Sequence, residues 1–307
     1  MRHLLHLALV AVSCLASAVV PAHANENGLQ QHLRDQYNGK TFVLRNFYNG
    51  SSLGYDETGQ LSKTAISGDW TVDGFVRVED VRVSNHRLRI QATRLRLGWL
   101  REIGFFSVPT PAGKAGEDYE RAKDLRIEVK FSSNEVTGDS ADAVLARIFL
   151  TQHDNLAELV PDYWKPCFRP GAGAKDSNCR FAPELQAIPG VASSGKSAST
   201  PTDAAAQPFN VAELGAGHGI RPARIVFQHE PEFSEPARQA KYQGTVTLGL
   251  VVDKEGLPTN IQIINPLGCG LDAQAVRAVE GWKFRPAEKE GEPVSTKIAV
   301  EVDFHLY

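Results

Sequence analysis

Seven arginines, Arg77, Arg82, Arg87, Arg89, Arg94, Arg96 and Arg101, crowd into one stretch and interleave with Leu88, Ile90, Leu95 and Leu97. Side chains two residues apart on a strand leave the same face. Arg87 with Arg89, and Arg94 with Arg96, therefore form basic pairs, and paired strands would gather them into a stripe. Guanidinium groups so arranged recognise phosphate or carboxylate through charge-assisted, often two-pronged hydrogen bonds. Glu79, Asp80 and Glu102 lie among them, so an ordinary solvated sheet face with counter-charges is the reading to prefer.

Other candidate chemistry is weaker. Gly190-Val-Ala-Ser-Ser-Gly195-Lys196-Ser197 satisfies the phosphate-loop pattern. That loop works only between a strand and a helix N-terminus, whereas here Pro189 precedes it and Pro201 follows soon after. Cys167 and Cys179 flank a short Gly- and Asp-containing loop, which in an exported protein reads as a disulfide, stabilising by about 3 kcal/mol through loop closure. Cys269 sits between two glycines at a helix entrance and reads as a packed small residue. His229-Glu230 lacks the second histidine of a zinc protease helix, and no nucleophile elbow or paired-carboxylate motif stands out. No cofactor, metal set or enzyme activity is expected, although a triad converging from distant positions is not visible to sequence reading.

The chain has 307 residues, 42% hydrophobic, with a formal charge of −3. That length suits two modest domains and a linker, and the charge gives no reason to expect a nucleic-acid partner. Met-Arg-His, an apolar run from Leu4 to Val20, then Ala22-His23-Ala24 have the layout of a secretory signal, residues 1–24, with the mature chain starting at Asn25 in the periplasm. An uncleaved inner-membrane anchor is the alternative, but the run is short for a span and contains His6. Export makes a lipopolysaccharide phosphate or a peptidoglycan carboxylate the natural anion for the arginine stripe.

Residues 25–180 read as a strand-rich domain. Thr41 to Arg45, Trp70 to Val72, Gly74 to Val83, Arg87 to Leu97 and Leu125 to Phe131 carry β-branched or alternating character between Asn-Gly, Asp-Gly and Ser-Gly punctuation. Helical spacing follows Asp139-Ser140, and a second short helix is expected before Pro161. The expected form is a β-meander or partly closed barrel with terminal helices. Residues 181–221 shift to Ala, Ser, Gly, Pro and Thr, the composition of a flexible tether.

The last unit, 222–307, is the most regular. Val246, Leu248, Leu250 and Val252 alternate; Asp253-Lys-Glu-Gly256 supplies a hairpin turn; Ile261 and Ile263 restart the alternation. Leu271, Ala275, Ala278, Val279 and Trp282 fall at helical spacing, with Asp272 in the first turn near the positive helix end. Ile298, Val300, Val302, Phe304 and Leu306 alternate to the terminus. The fold class is therefore α+β: a strand-rich domain tethered to a three-stranded antiparallel sheet with helices.

This segment resembles the C-terminal domain of the TonB family. Pro231, Ala237 and Arg238 match the opening "P-x-Y-P-x-x-A-R". Gly244 matches "x-G-x-V", and Asp253 with Gly256 match "V-D-x-x-G". Leu271, Asp272, Trp282, Phe284 and Pro286 match the helix and its exit, and Gly291 the last turn. The family's Tyr-Pro is Phe233-Ser234 here, which keeps a ring but loses a hydroxyl and a fixed φ.

The resemblance implies a non-enzymatic binding module of outer-membrane transport. Its last strand, Lys297, Ile298, Ala299, Val300, Glu301, Val302, Asp303, Phe304, His305 and Leu306, would pair with an extended segment of an outer-membrane receptor. A proton-driven inner-membrane motor is a further implied partner if the N-terminus stays anchored. The same strand is alternatively covered by a second copy of the chain or by the protein's own N-terminal segment. A soluble interaction protein that reuses the module without transducing energy is the other reading.

Overall fold

The computed structural model describes residues 22–109, 124–133, 136–168, 180–191 and 220–306. The N-terminal unit opens with α1, Ala22–Tyr37, followed by β1, Thr41–Val43, and β2, Ser52–Asp56. Then come α2, Trp70–Asp73, β3, Phe75–Ser84, β4, Arg87–Leu100, β5, Gly104–Pro109, and β6, Asp124–Lys130. Short helices close it: α3, Gly138–Ile148, α4, Leu156–Leu159, a 3-10 helix over Asp162–Phe168, and α5, Pro183–Gln186.

The strands form one sheet in the order β1-β3-β4-β6-β2, with β5 also paired to β4. Long strand β4 organises it. One of its edges carries β3; the other carries β6 along Arg87–Thr93 and β5 along Leu95–Leu100. The run β3-β4-β5 is the expected meander, but β2 joins β6 in parallel, so the sheet is mixed and neither a pure meander nor a barrel.

Two expectations change. Trp70 to Val72 is not a strand, because Asp69 accepts from the Thr71 backbone N–H at 2.8 Å and caps a single helical turn; a local cap outweighs strand propensity. Residues 181–191, assigned to the tether, belong to the core: Phe181, Ala182, Leu185, Ile188 and Val191 are buried. Their apolar side chains offset the entropy of ordering a segment whose composition reads as flexible. The phosphate-loop pattern begins in this packed stretch, and its lysine and serine lie outside the described residues, as does nearly all of the expected signal.

The C-terminal unit comprises β7, Ile220–Arg221, β8, Arg224–Phe227, α6, Glu235–Gln239, β9, Gly244–Val252, and β10, Pro258–Asn265. It continues with α7, Leu271–Glu280, β11, Lys283–Arg285, β12, Ala287–Lys289, β13, Glu292–Val294, and β14, Thr296–Phe304. The expected three-stranded antiparallel sheet is present in the order β10-β9-β14. Helix α7 lies across it through Leu271, Ala275, Val276, Ala278 and Val279, all buried. Each large aliphatic so covered contributes about 1.5–3 kcal/mol. Gly256, at φ +82°, closes the β9–β10 hairpin where a Cβ would meet the Phe284 carbonyl at 2.0 Å, so only glycine serves there.

The two units share a core. Leu88, Ile90, Ala92 and their neighbours pack under α1 and α3, whereas Phe75, Leu95, Leu97, Phe105 and Trp164 belong to a second cluster that continues into Val246, Leu271 and Phe304 of the C-terminal sheet.

Candidate functional site

Strand β14 is an outer strand. Each of its residues faces a partner on β9, from Thr296 opposite Val252 to Phe304 opposite Gly244, and among the described residues β14 pairs with β9 alone. Its buried side chains are Thr296, Val300, Val302 and Phe304, while Lys297, Ala299, Glu301 and Asp303 are exposed, as is His305, which with Leu306 lies past the end of the strand. An outer strand turns alternate N–H and C=O groups outward, where an extended chain can add by backbone pairing. The opposite outer strand, β10, packs against the 3-10 helix of the N-terminal unit, and β14 has no comparable neighbour there.

The motif residues build this sheet rather than line it. Phe233 packs edge-on to Phe304 with ring centroids 5.4 Å apart, which supplies the aromatic role of the missing tyrosine. Ser234, in place of proline, caps α6 by accepting from the Ala237 N–H at 3.2 Å and donates to the Cys269 carbonyl at 2.5 Å. Ala237 is fully buried, and Arg238 pairs with Glu235. Gly244, at φ +152°, passes beside Leu267. Asp253 accepts from the Glu255 and Leu257 N–H groups and shapes the hairpin. Trp282 donates to the His229 carbonyl at 2.9 Å, Phe284 is buried, Pro286 follows β11, and Gly291 holds φ +88° in the β12–β13 turn.

Asp272 lies in the first turn of α7, as expected, and does more than meet the helix end. Fully buried, it accepts from the Leu267 N–H at 2.8 Å and the Gly268 N–H at 2.7 Å. Burial pushes its pKa up to about 7, against the pull of those two N–H groups. The loop it braces, 267–269, docks onto the N-terminal sheet. Where β3 ends beside Leu95, that loop takes over the edge of β4: Cys269 donates to the Leu97 carbonyl at 2.6 Å, Trp99 donates to the Leu267 carbonyl at 3.1 Å, and Gly98 and Gly268 face each other. A Cβ on Gly268 would lie 2.4 Å from the Leu97 carbonyl. Tyr242 donates to the Trp99 and Leu267 carbonyls, and the Gly270 N–H donates to Thr71 Oγ1 at 2.9 Å.

The arginine stripe divides. Arg87 and Arg89 are surface residues paired with Glu128 at 3.8 and 3.0 Å. Arg94 and Arg96 are buried and cannot belong to an exposed anion patch. Arg94, with no exposed surface, donates to the carbonyls of Asp73, Tyr48 and Gly50 and lies 3.5 Å from the Asp73 carboxylate. Burial lowers its pKa, which Asp73 counters. Arg96 donates to the Pro236 carbonyl at 3.0 Å, across the junction between the units. Sequence carried the signal: seven residues separate Arg87 from Arg94, and an odd offset on a strand means opposite faces.

Cys167 is buried and already engaged, and its expected partner Cys179 lies outside the described residues. Burial lifts the Cys269 thiol to about 12, so it stays protonated and unreactive at neutral pH. No group of three metal-ligating side chains occurs among the described residues. Between the units lies a cleft of about 730 Å³, lined by residues of both, including Asn49, Asp69, Tyr163, Glu235, Gln274 and Arg277. Sequence reading missed it because neither unit holds it alone.

The C-terminal unit is thus a three-stranded sheet backed by a helix, in which β14 pairs on one side only among the described residues. Comparison with known proteins names its family: residues 229–306 match the model for the Gram-negative bacterial TonB protein C-terminal domain. The "Protein TonB" of Vibrio cholerae is 31% identical over 87 residues, which are 28% of this chain and 36% of that protein. "Protein tonB2" of Pseudomonas aeruginosa is 35% identical over 77 residues, 25% of this chain and 28% of that protein. The chain thus spans about a third of the length of these relatives. The solution structure of the Pseudomonas aeruginosa TonB C-terminal domain aligns with 27% of this chain and 86% of its own at 17% identity and a TM-score of 0.23. The C-terminal unit is a TonB-family C-terminal domain, and residues 1–228 lie outside the family match.

Proposed function

We propose that this is a non-enzymatic cell-envelope protein, exported to the periplasm, whose C-terminal module binds partner strands at β14 in TonB-type transport at the outer membrane. The observation that carries the reading is the asymmetry of the C-terminal sheet: β10 lies against the N-terminal unit, whereas β14 offers its outer edge. The partner is an extended segment of an outer-membrane receptor, held by backbone hydrogen bonds along Lys297 to Leu306. Neighbouring residues on a strand send their N–H groups in opposite directions. Proline at Ile298 and proline at Ala299 therefore remove, one each, an inward and an outward donor. One variant is expected to lose stability, and the other to stay folded and lose binding of a receptor-segment peptide by fluorescence anisotropy. Equal peptide binding by the folded variant and the parent overturns the reading.

A soluble interaction protein without energy transduction is the second reading, favoured by the shared core and the β4 docking, which attach the module to the N-terminal unit. Among the described residues, no helix is long and apolar enough to cross a membrane. The measurement is intact mass with fractionation: a mature chain starting at Asn25 in the soluble periplasm selects this reading, and Met1 retained in the inner membrane selects the transducer. We also propose the Cys167–Cys179 disulfide, which non-reducing peptide mapping checks.

A further inference from the structure

The cleft between the units holds an unusual charge inventory. Of its charged side chains, Glu235 is committed to Arg238 and Gln239, and Asp73 to Arg94. Asp69 and Arg277 are not: among the described residues neither makes an ion pair, although both line the cleft, one from each unit. One carboxylate oxygen of Asp69 is held by the Thr71 N–H and hydroxyl, which fixes the group at the base of α2. Arg277 extends exposed from α7 on the facing wall. Around them lie the amides of Asn49 and Gln274 and the rings of Phe47 and Tyr163.

We propose that this cleft is a binding site for a small zwitterion, a free amino acid or short peptide, with its ammonium on Asp69 and its carboxylate on Arg277. The volume falls within the roughly 300–1,000 Å³ of small-molecule sites. A guanidinium matches a carboxylate two-prong to two-prong. Asn49 and Gln274 offer donors and acceptors for a peptide backbone, and the aromatic faces cover the apolar part. Burial holds the Asp69 carboxyl above its ordinary range, with Asp73 adding to that rise and Arg277 opposing it. An ammonium in the cleft would supply a counter-charge at contact distance, which Arg277 does not. Because Thr71 bonds both Asp69 and the Gly270 N–H, a ligand spanning the walls would also tighten the docking of the C-terminal module, and with it the orientation of β14.

Binding here requires no partner strand and is tested on the full chain with Ala-Ala-Ala, its N-acetyl form and its C-terminal amide, by calorimetry up to about 5 mM. Asp69→Asn keeps a helix-capping side chain and Arg277→Gln keeps an exposed helical one, so both variants should fold, which circular dichroism verifies. The free tripeptide is expected to bind, and each blocked form and each variant to bind at least tenfold more weakly. Acetylation should cost nothing further in Asp69→Asn, nor amidation in Arg277→Gln. Absence of binding by the free tripeptide overturns the proposal. So does equal binding by the blocked forms, or by both variants.

Discussion

The two halves of β4 carry the same alternation of arginine and aliphatic residues and put it to opposite uses. In the first half, Arg87 and Arg89 lie at the surface beside Glu128 while Leu88 and Ile90 are buried. In the second, Leu95 and Leu97 turn to a different core, and the face bearing Arg94 and Arg96 is covered as well. A covered guanidinium has to find carbonyl and carboxylate partners or it cannot stay. Arg94 therefore ties three loop carbonyls together, and Arg96 reaches the C-terminal unit. Arginine in a strand is a ligand-binding group or a structural fastener according to what covers its face, and residue type does not decide between them.

Removing the fasteners should separate the halves. Arg94→Met leaves Asp73 without its cation and removes the guanidinium donor from one buried and two part-buried carbonyls, and is expected to cost about 3–5 kcal/mol, read as a lowered urea midpoint. If that variant denatures with the parent, the covered half of β4 is no fastener. Arg96→Ala removes a charged donor from the Pro236 carbonyl, about 1.5–3 kcal/mol. Its effect should concentrate at the junction, as faster hydrogen exchange at the Leu267 and Cys269 amides with little change under α1.

The third test uses pH. The Asp272 carboxyl titrates near 7 when folded and near 3.8 otherwise, so between those values the folded state holds an extra proton and stability falls as pH rises. The contribution is intact below about pH 4 and is lost on passing 7. The junction should exchange more slowly at pH 5 than at pH 8 once intrinsic rates are corrected, and Asp272→Asn should flatten that difference. Glu128, lowered chiefly by its hydrogen bond from Arg89, gives the opposite sign. The smallest effect belongs to Arg89→Ala, whose exposed pair is worth less than about 1 kcal/mol; a larger loss would mean that the surface half is structural too.

The C-terminal sheet was legible because each of its parts has a local cause: the alternation of β9, the Asp253–Gly256 turn and the helical spacing from Leu271. The arginine parity was legible as well, since offsets along a strand fix faces. The docking was not. It runs through backbone groups of Leu97, Trp99, Leu267 and Cys269, and backbone pairing leaves no side-chain pattern beyond two glycines, Gly98 and Gly268, that permit close approach. The Asp69–Arg277 cleft was hidden for a related reason, because its charges lie far apart in sequence and meet only once the units are joined. Residues 181–191 read as tether because small residues are common to linkers and to packed turns.

The 3-10 helix beside β10 also bears on how the module behaves in isolation. Cut free at residue 229, the sheet would lose that neighbour and become a ribbon with two adhesive sides, able to join others end over end. Among the described residues, the β10 side has this cover and the β14 side has none comparable. The N-terminal unit is thus a cover carried in the same polypeptide, shielding one outer strand of the sheet from further pairing.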